Sequence, residues 1–453
     1  MSGVVDQALR AAQAAGAPVA VGTGEPAAGV DPLDLVDRAL DRDQEVFFWS
    51  DPAARLTMVG VGVAHRIVAE GARPFAAMEP ERAAWSRRAE WDGSPGGPVW
   101  LGGGAFDPLR PRSALWRGFG PGRLVLPRLM LTVRDGRAWL SRATVVEPEA
   151  GALSHRRELD RALRVLDGPT PPARPAAAWT RVDGAGAKAF CDLVDAIREA
   201  IGRGGLEKVV LARRVRLLAT GPADAVGVLR RLHARASGSV VFAVGGRGRL
   251  FLGATPEQLA AVAGREVEAY CLAGSTARGG DGAADRELEL KLLASAKDRH
   301  EHELVVAAVE AALRPLAPSA RRTGPPQVQK LGTIQSLLTP VSGRLDPGAA
   351  LLDVVQALHP TPAVGGVPAA AALQWLRRHE GFDRGWYAGA LGWVDGRGDG
   401  SFRVAIRSLL LRPDAAYAYA GCGIVAGSVP EAELAESEMK LRAVLDALGV
   451  TTP

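Results

Sequence analysis

SVVFAVGGRGRLFLGATPEQLAAVAGREVEAYCLAG, residues 239–274, decides the fold class. Its apolar runs SVVFAVGG, RLFLGAT, EQLAAVAG and VEAYCLAG, broken by glycine, arginine and proline, read as consecutive strands joined by short turns. Just upstream, AFCDLVDAIREAIGRGG (189–205) has the periodicity of an amphipathic helix closed by glycine, and KVVLARRVRLL (208–218) follows it as a β-branched strand. Downstream, DRELELKLLASAKDRHEHELVVAAVEAAL (285–313) keeps a helical period over its whole length. Several strands in succession followed by long helices predict an α+β fold with large antiparallel sheets, rather than a doubly wound parallel one.

Further out, GPTPPARPAA (168–177) holds four prolines in ten residues and resists helix, so the main boundary is expected there. It divides the chain into an N-terminal region, 1–172, and a C-terminal region, 173–453. The first contributes strand-like runs such as EVFFWS, RLTMVGVG, PVWLGGGAF and RAWLSRATVV, mixed with Ala/Arg-rich helical stretches, and few convergent polar residues. The second carries the chemistry.

Composition excludes some classes. The net charge of +5 arises from 55 basic and 50 acidic residues that are interspersed, so nucleic-acid binding is not expected. No uncharged apolar run is long enough to span a bilayer, and the N-terminus lacks the pattern of a signal peptide. Three cysteines, Cys191, Cys271 and Cys422, have neither zinc-site nor disulfide-scaffold spacing, which points to a reduced, cytoplasmic protein. Only six of the 55 cations are lysine, at 188, 208, 291, 297, 330 and 440. Lysine can lose its proton where arginine cannot, so each of the six carries a functional question.

Two acidic pairs repeat one spacing. Asp298 and Glu301 share a helix face, and Glu433 and Glu436 do the same in EAELAESEMKLRAVL, with Lys440 one turn on. Two such helices could hold one hard cation, and magnesium suits oxygen donors that leave room for water and substrate; two salt-bridged surface helices would give the same pattern. His300 and His302 point to nearly opposite sides of a helix, and His359 in LHPTPAVGG reads as a backbone-bonded structural histidine. GCGIVAGS (421–428) could bring backbone N–H groups close to an anion, and Arg407 could pair with a carboxylate.

Taken together, EKVVLARR (207–214), FLGATPEQL (251–259), LAGSTARG (272–279), SAKDRHEHELV (295–305), LHPTPAVGG (358–366), FDRGWYAGALGWVD (382–395), VAIRS (404–408) and AGCGIVAGSVPEAELAESEMK (420–440) resemble, in unbroken order, the isochorismate synthases among the chorismate-utilising enzymes. The first 170 residues resemble that family's variable N-terminal part only weakly. The resemblance implies an anthranilate synthase component I-like sandwich of antiparallel sheets flanked by helices, acting on chorismate. It assigns Lys208 as the base that activates water for attack at C2, and Glu257 as the acid that protonates the departing C4 hydroxyl. Glu301 and Glu436 match magnesium ligands, with Asp298 and Glu433 acting directly or through water. Gly274, Ser275, Ala363, Tyr387, Arg407, Gly423 and Lys440 match positions around the substrate's ring and carboxylates.

Lys208, together with Ala273 where aminating relatives often carry a nucleophilic lysine, favours water over ammonia. No glutaminase subunit is then expected, and a monomer is. The alternatives are a salicylate synthase, which goes on to eliminate pyruvate, and an inert chorismate-binding homologue. Ser336 departs from the family, many of whose members have histidine there. Menaquinone and catechol-siderophore biosynthesis are the uses of isochorismate that the resemblance brings with it.

Overall fold

The computed structural model describes residues 2–92, 97–149, 151–168, 171, 172, 174, 177–182, 186–236, 238–246, 248–332 and 334–450. Among them, 13 strands form one sheet and 10 form another. Pairing is antiparallel throughout both, save where Val19–Ala27 meets Glu90–Asp92. The α+β architecture expected from residues 239–274 is therefore the one observed.

Both sheets take strands from either side of the 168–177 segment, part of which lies outside the described residues. In the larger sheet Lys208–Ala219 pairs with Ala415–Ile424, followed by Ser408–Leu411, Arg249–Thr255 and Val240–Gly246. The N-terminal strands Val46–Asp51 and Leu56–Val61 continue it. In the smaller sheet Ile334–Arg344, Glu266–Ala277, Gln258–Ala263, Gly400–Val404 and Ala390–Asp395 lead to the N-terminal Val99–Gly104.

Side chains alternate across a strand, and the central strands are apolar on both faces because both are covered. Phe242, Val244, Phe251 and Leu410 point into a core shared with Val267, Ala269, Cys271 and Phe402 of the smaller sheet. Their neighbours Val241, Ala243, Leu250, Leu252 and Leu409 point the other way, onto the helices Pro32–Asp41, Ala225–Arg235 and Pro430–Leu448. Helix Ala296–Leu313 lays Val305, Val306 and Val309 against the shared core.

One expectation needs correction. Residues 285–313 are not one continuous helix but the end of Gly282–Ala294 and the whole of Ala296–Leu313, separated at Ser295. Ser295 has extended backbone, and its hydroxyl accepts the Asp298 N–H, which caps the second helix. The hydrophobic period runs through the break, but the helix axis does not.

A buried ion pair ties the C-terminal elements together. Arg384 and Glu380 have side chains only 2% and 1% exposed. The Arg384 guanidinium donates to Val210 O at 2.7 Å and Val364 O at 2.9 Å and lies 4.1 Å over the Phe106 ring. Glu380 accepts the Ala212 N–H at 2.9 Å. The pair thus pins strand Lys208–Ala219 to the loop after His359. Removing one partner leaves the other charge buried and alone, which costs about 3–5 kcal/mol. Arg384→Met should therefore lower the urea midpoint by an amount equivalent to several kcal/mol; a change under about 1 kcal/mol would show that the pair contributes little.

Candidate active site

Four adjacent strands of the larger sheet terminate at the same end. Lys208 begins the first, Ile424 ends the second, Ser408 begins the third and Thr255 ends the fourth. Lys208, Gly423, Arg407 and Glu257 therefore stand side by side, although they are far apart in the chain. Helices Ala296–Leu313 and Pro430–Leu448 add Glu301, Glu436 and Lys440, and the smaller sheet adds Gly274 and Ser275.

The cleft so formed is lined by Glu257, Gly274, Ser275, Glu301, Ala363, Tyr387, Arg407, Gly423, Glu436 and Lys440. It encloses about 60 Å³, much less than two other hollows of about 660 and 1180 Å³. Its density of buried charge, not its size, singles it out. Lys208, Asp298 and Glu433 are not among its lining residues: Lys208 lies against Gly423 and Glu301, Asp298 against Gly274, and Glu433 within 4.8 Å of Glu436.

Lys208 is fully buried, with Nζ 2.9 Å from Glu301 Oε1. Burial is the largest influence on Glu301 and opposes its ionisation, but the Lys208 charge and hydrogen bond, with the charges of Lys440 and Lys297, together outweigh it and hold the carboxyl below its ordinary range. The pair lies directly over Gly423. A Cβ there would stand 2.4 Å from Glu301 Oε1 and 2.8 Å from Lys208 Cε, so only glycine leaves room for it.

Glu257 sits in the turn between Arg249–Thr255 and Gln258–Ala263, where its peptide oxygen accepts the Val404 N–H. Burial pushes its carboxyl up to about 7, against the charges of Arg407, Lys208 and Lys440, which act to lower it. The cleft thus holds two glutamates, Glu257 buried and Glu301 largely so, shifted in opposite directions.

Arg407 has a left-handed backbone, φ 51°, braced by the Ala254 N–H donating to its carbonyl at 3.1 Å. Among the described residues no acid pairs with its guanidinium. Burial disfavours that charge, so a carboxylate arriving beside it is welcome. Tyr387 is buried and stacked on Tyr419 at 4.9 Å, and burial pushes its hydroxyl up to about 12, leaving it a neutral donor. Lys440 pairs with Glu436 at 2.6 Å and donates to Gly421 O at 2.9 Å. Burial works against its charge, yet Glu436 more than compensates and raises its pKa.

Gly274 is left-handed, φ 73°, at a bulge that lets Ser275 face Ser336, and a Cβ on it would press on Asp298 at 2.9 Å. The two hydroxyls are 2.8 Å apart. At the position where the family resemblance led to an expectation of histidine, this chain thus builds a serine pair into the wall.

Of the four acids expected at a metal, Glu301 and Glu436 front the cleft. Asp298 is raised, chiefly by burial, with Glu301 and Glu436 adding to it. Glu433 is raised by burial and then by Glu436, although Lys297 stands 3.1 Å away. This crowding of oxygen-bearing charge suits a hard divalent cation. Cys422 Sγ lies within 4.8 Å of Glu433 and Glu436 oxygens, but burial and those carboxylates keep it a thiol, and it donates to Glu433 O. It belongs with the packing, not with an oxygen ligand set.

Sequence reading missed Lys297 as a partner of Glu433, and the Arg384–Glu380 lock. The scarcity of lysine was the available signal for the first; the second had none beyond an i,i+4 spacing. His359 is buried and bonded to Ala105 O at 3.2 Å, and burial pushes its pKa down to about 4, as expected of a structural histidine.

A family model described as chorismate binding enzyme matches residues 7–449. The salicylate biosynthesis isochorismate synthase of Pseudomonas aeruginosa is 37% identical over 457 residues, spanning 99% of this chain and 94% of that protein. Isochorismate synthase MenF of Bacillus subtilis is 33% identical, over 89% of this chain and 88% of the relative. Among solved structures, the menaquinone-specific isochorismate synthase MenF of Escherichia coli superposes with a TM-score of 0.79 at 25% identity, covering 98% of this chain and all of that one (100%). Anthranilate synthase component I from Streptococcus pneumoniae shares the fold, with a TM-score of 0.70 at 21% identity over 87% and 93% of the two chains.

Burial pushes all three thiols up, but only Cys271 and Cys422 are fully buried and so out of a reagent's reach. In native protein at pH 8 a disulfide reagent should titrate Cys191, which is half-buried, whereas Cys271, pushed up to about 12 by burial, and Cys422 should react only after unfolding. Rapid modification of Cys422 in the native state would mean the cleft floor opens.

Proposed function

This chain belongs to the chorismate-binding enzymes, and from that premise we propose that it is an isochorismate synthase, an isomerase that interconverts chorismate and isochorismate. The observation that carries the proposal is the pairing of a buried lysine with a buried, proton-retaining glutamate at one cleft, Lys208 and Glu257. Water must lose a proton as it attacks C2, and the C4 hydroxyl must gain one as it leaves. Lys208 is placed to take the first proton. Glu257 supplies the second. Between the two positions the ring double bonds shift, so one water enters and one leaves.

Arg407 and the neutral Tyr387 hydroxyl are placed to hold a substrate carboxylate, with the Gly423 backbone and Lys440 alongside. Magnesium would be held by Glu301 and Glu436, with Asp298 and Glu433 as direct or water-mediated ligands, and would supply neutralisation and orientation of the ring carboxylate. The lysines on Glu301, Glu433 and Glu436 occupy those carboxylates in this structure, so substrate and cation have to compete with them. Ala273, which cannot form an amine adduct, fits a reaction with water and needs no glutaminase.

Purified protein given chorismate and magnesium should yield isochorismate on chromatography; salicylate with pyruvate as the main product would overturn the proposal that the reaction stops there. Lys208→Ala and Glu257→Gln should each lower kcat by about 10²–10⁴-fold while chorismate still binds. Near-normal turnover in either would remove that residue from its role.

The pH dependence follows from Glu257. Its acid role needs the protonated form, which is lost as pH rises through its pKa of about 7. The kcat/KM profile should therefore fall on the alkaline side with an apparent pKa near that value, and a profile flat from pH 6 to about 9 would exclude Glu257 as the acid.

A further inference from the structure

On the N-terminal half of the larger sheet, a cavity of about 660 Å³ opens where residues 43–45, 61–63 and Gly245, Gly246 and Arg249 meet helix Ala152–Ala162. Six arginines line it, Arg66, Arg117, Arg123, Arg128, Arg161 and Arg249, against three acids. Two of the acids are engaged. Glu45 pairs with buried Arg123 at 2.7 Å and with Arg66, and Glu158 accepts the Thr144 hydroxyl. Arg128 donates Nε to Val63 O at 2.9 Å.

Among the described residues no carboxylate pairs with Arg117, Arg161 or Arg249, and Arg249 Nε is buried with no hydrogen-bond partner. The charges of Arg117 and Arg161, which are exposed, and of half-buried Arg249 repel one another across the hollow, and a buried N–H left unmet is unfavourable. A single ligand relieves both if it brings several negative oxygens at once. Guanidinium forks match carboxylate and phosphate oxygens in pairs. The volume falls within the range of about 300–1,000 Å³ usual for small-molecule sites.

We propose that this cavity is a second binding site, for a small polyanion bearing two or more phosphate or carboxylate groups, held by Arg117, Arg161 and Arg249. It shares no lining residue with the cleft of Lys208 and Glu257. The two are joined by one strand, Arg249–Thr255, which begins with an arginine of the cavity and ends two residues before Glu257.

The test is calorimetric titration of magnesium-free protein with inorganic tripolyphosphate and, separately, with citrate, at about 0.15 M salt. One saturable site for at least one of them is expected, and which one binds distinguishes a phosphorylated ligand from a polycarboxylate. Binding should weaken at least about tenfold in Arg117→Ser/Arg161→Ser/Arg249→Gln, with chorismate turnover unchanged, and should survive Arg407→Ala. No saturable binding of either probe, equal binding by the triple variant, or loss of binding in Arg407→Ala would each overturn the proposal, the last by placing the anion in the catalytic cleft.

Discussion

A lysine with no exposed surface is the constraint around which this molecule is arranged. Stripping water from the Lys208 ammonium costs several kcal/mol unless an opposite charge stands against it. Glu301 is that charge, delivered by a helix from outside the sheet, and the contact is possible only because residue 423 of the neighbouring strand has no side chain. Gly423, Glu301 and Lys208 are thus one unit: enlarging the first displaces the other two.

The same lysine separates the roles of two glutamates. Glu301 touches it and stays ionised, fit to hold a cation; Glu257 stands farther off, and burial prevails, so it keeps a proton it can donate. Equal side chains acquire unequal chemistry because Glu301 has a lysine in direct contact, with two more lysine charges behind it, whereas at Glu257 burial outweighs every nearby charge. Behind them Lys297 and Lys440 repeat the pairing with Glu433 and Glu436. Three of the chain's six lysines therefore sit on the acids of one site, in a protein that uses arginine almost everywhere else.

Much of this was legible without coordinates. The strand runs of 239–274 and the helices bearing 298/301 and 433/436 are local patterns, and period alone places their faces. The rarity of lysine raised the question for all six alike; the family resemblance gave Lys208 and Lys440 their expected roles, and nothing local names the partner of Lys297. The break at Ser295 was also present in the sequence, as a serine three residues before an acid, but an unbroken apolar period concealed it. Without the family resemblance Arg407 is one arginine among many, because a left-handed backbone and the absence of a partner are not properties of composition.

The amino-acid sequence by itself determined the kinds of element, which face of each is apolar, and which residues bring charge, because these depend on neighbours a few positions away. Only the tertiary structure decided that the strands beginning at Lys208 and Ser408 and those ending at Ile424 and Thr255 lie next to one another. That order follows from burying two sheet faces and three helices at once, a condition on the whole chain that no window of sequence contains. It brings Lys208, Glu257, Arg407 and Gly423 to one end of one sheet.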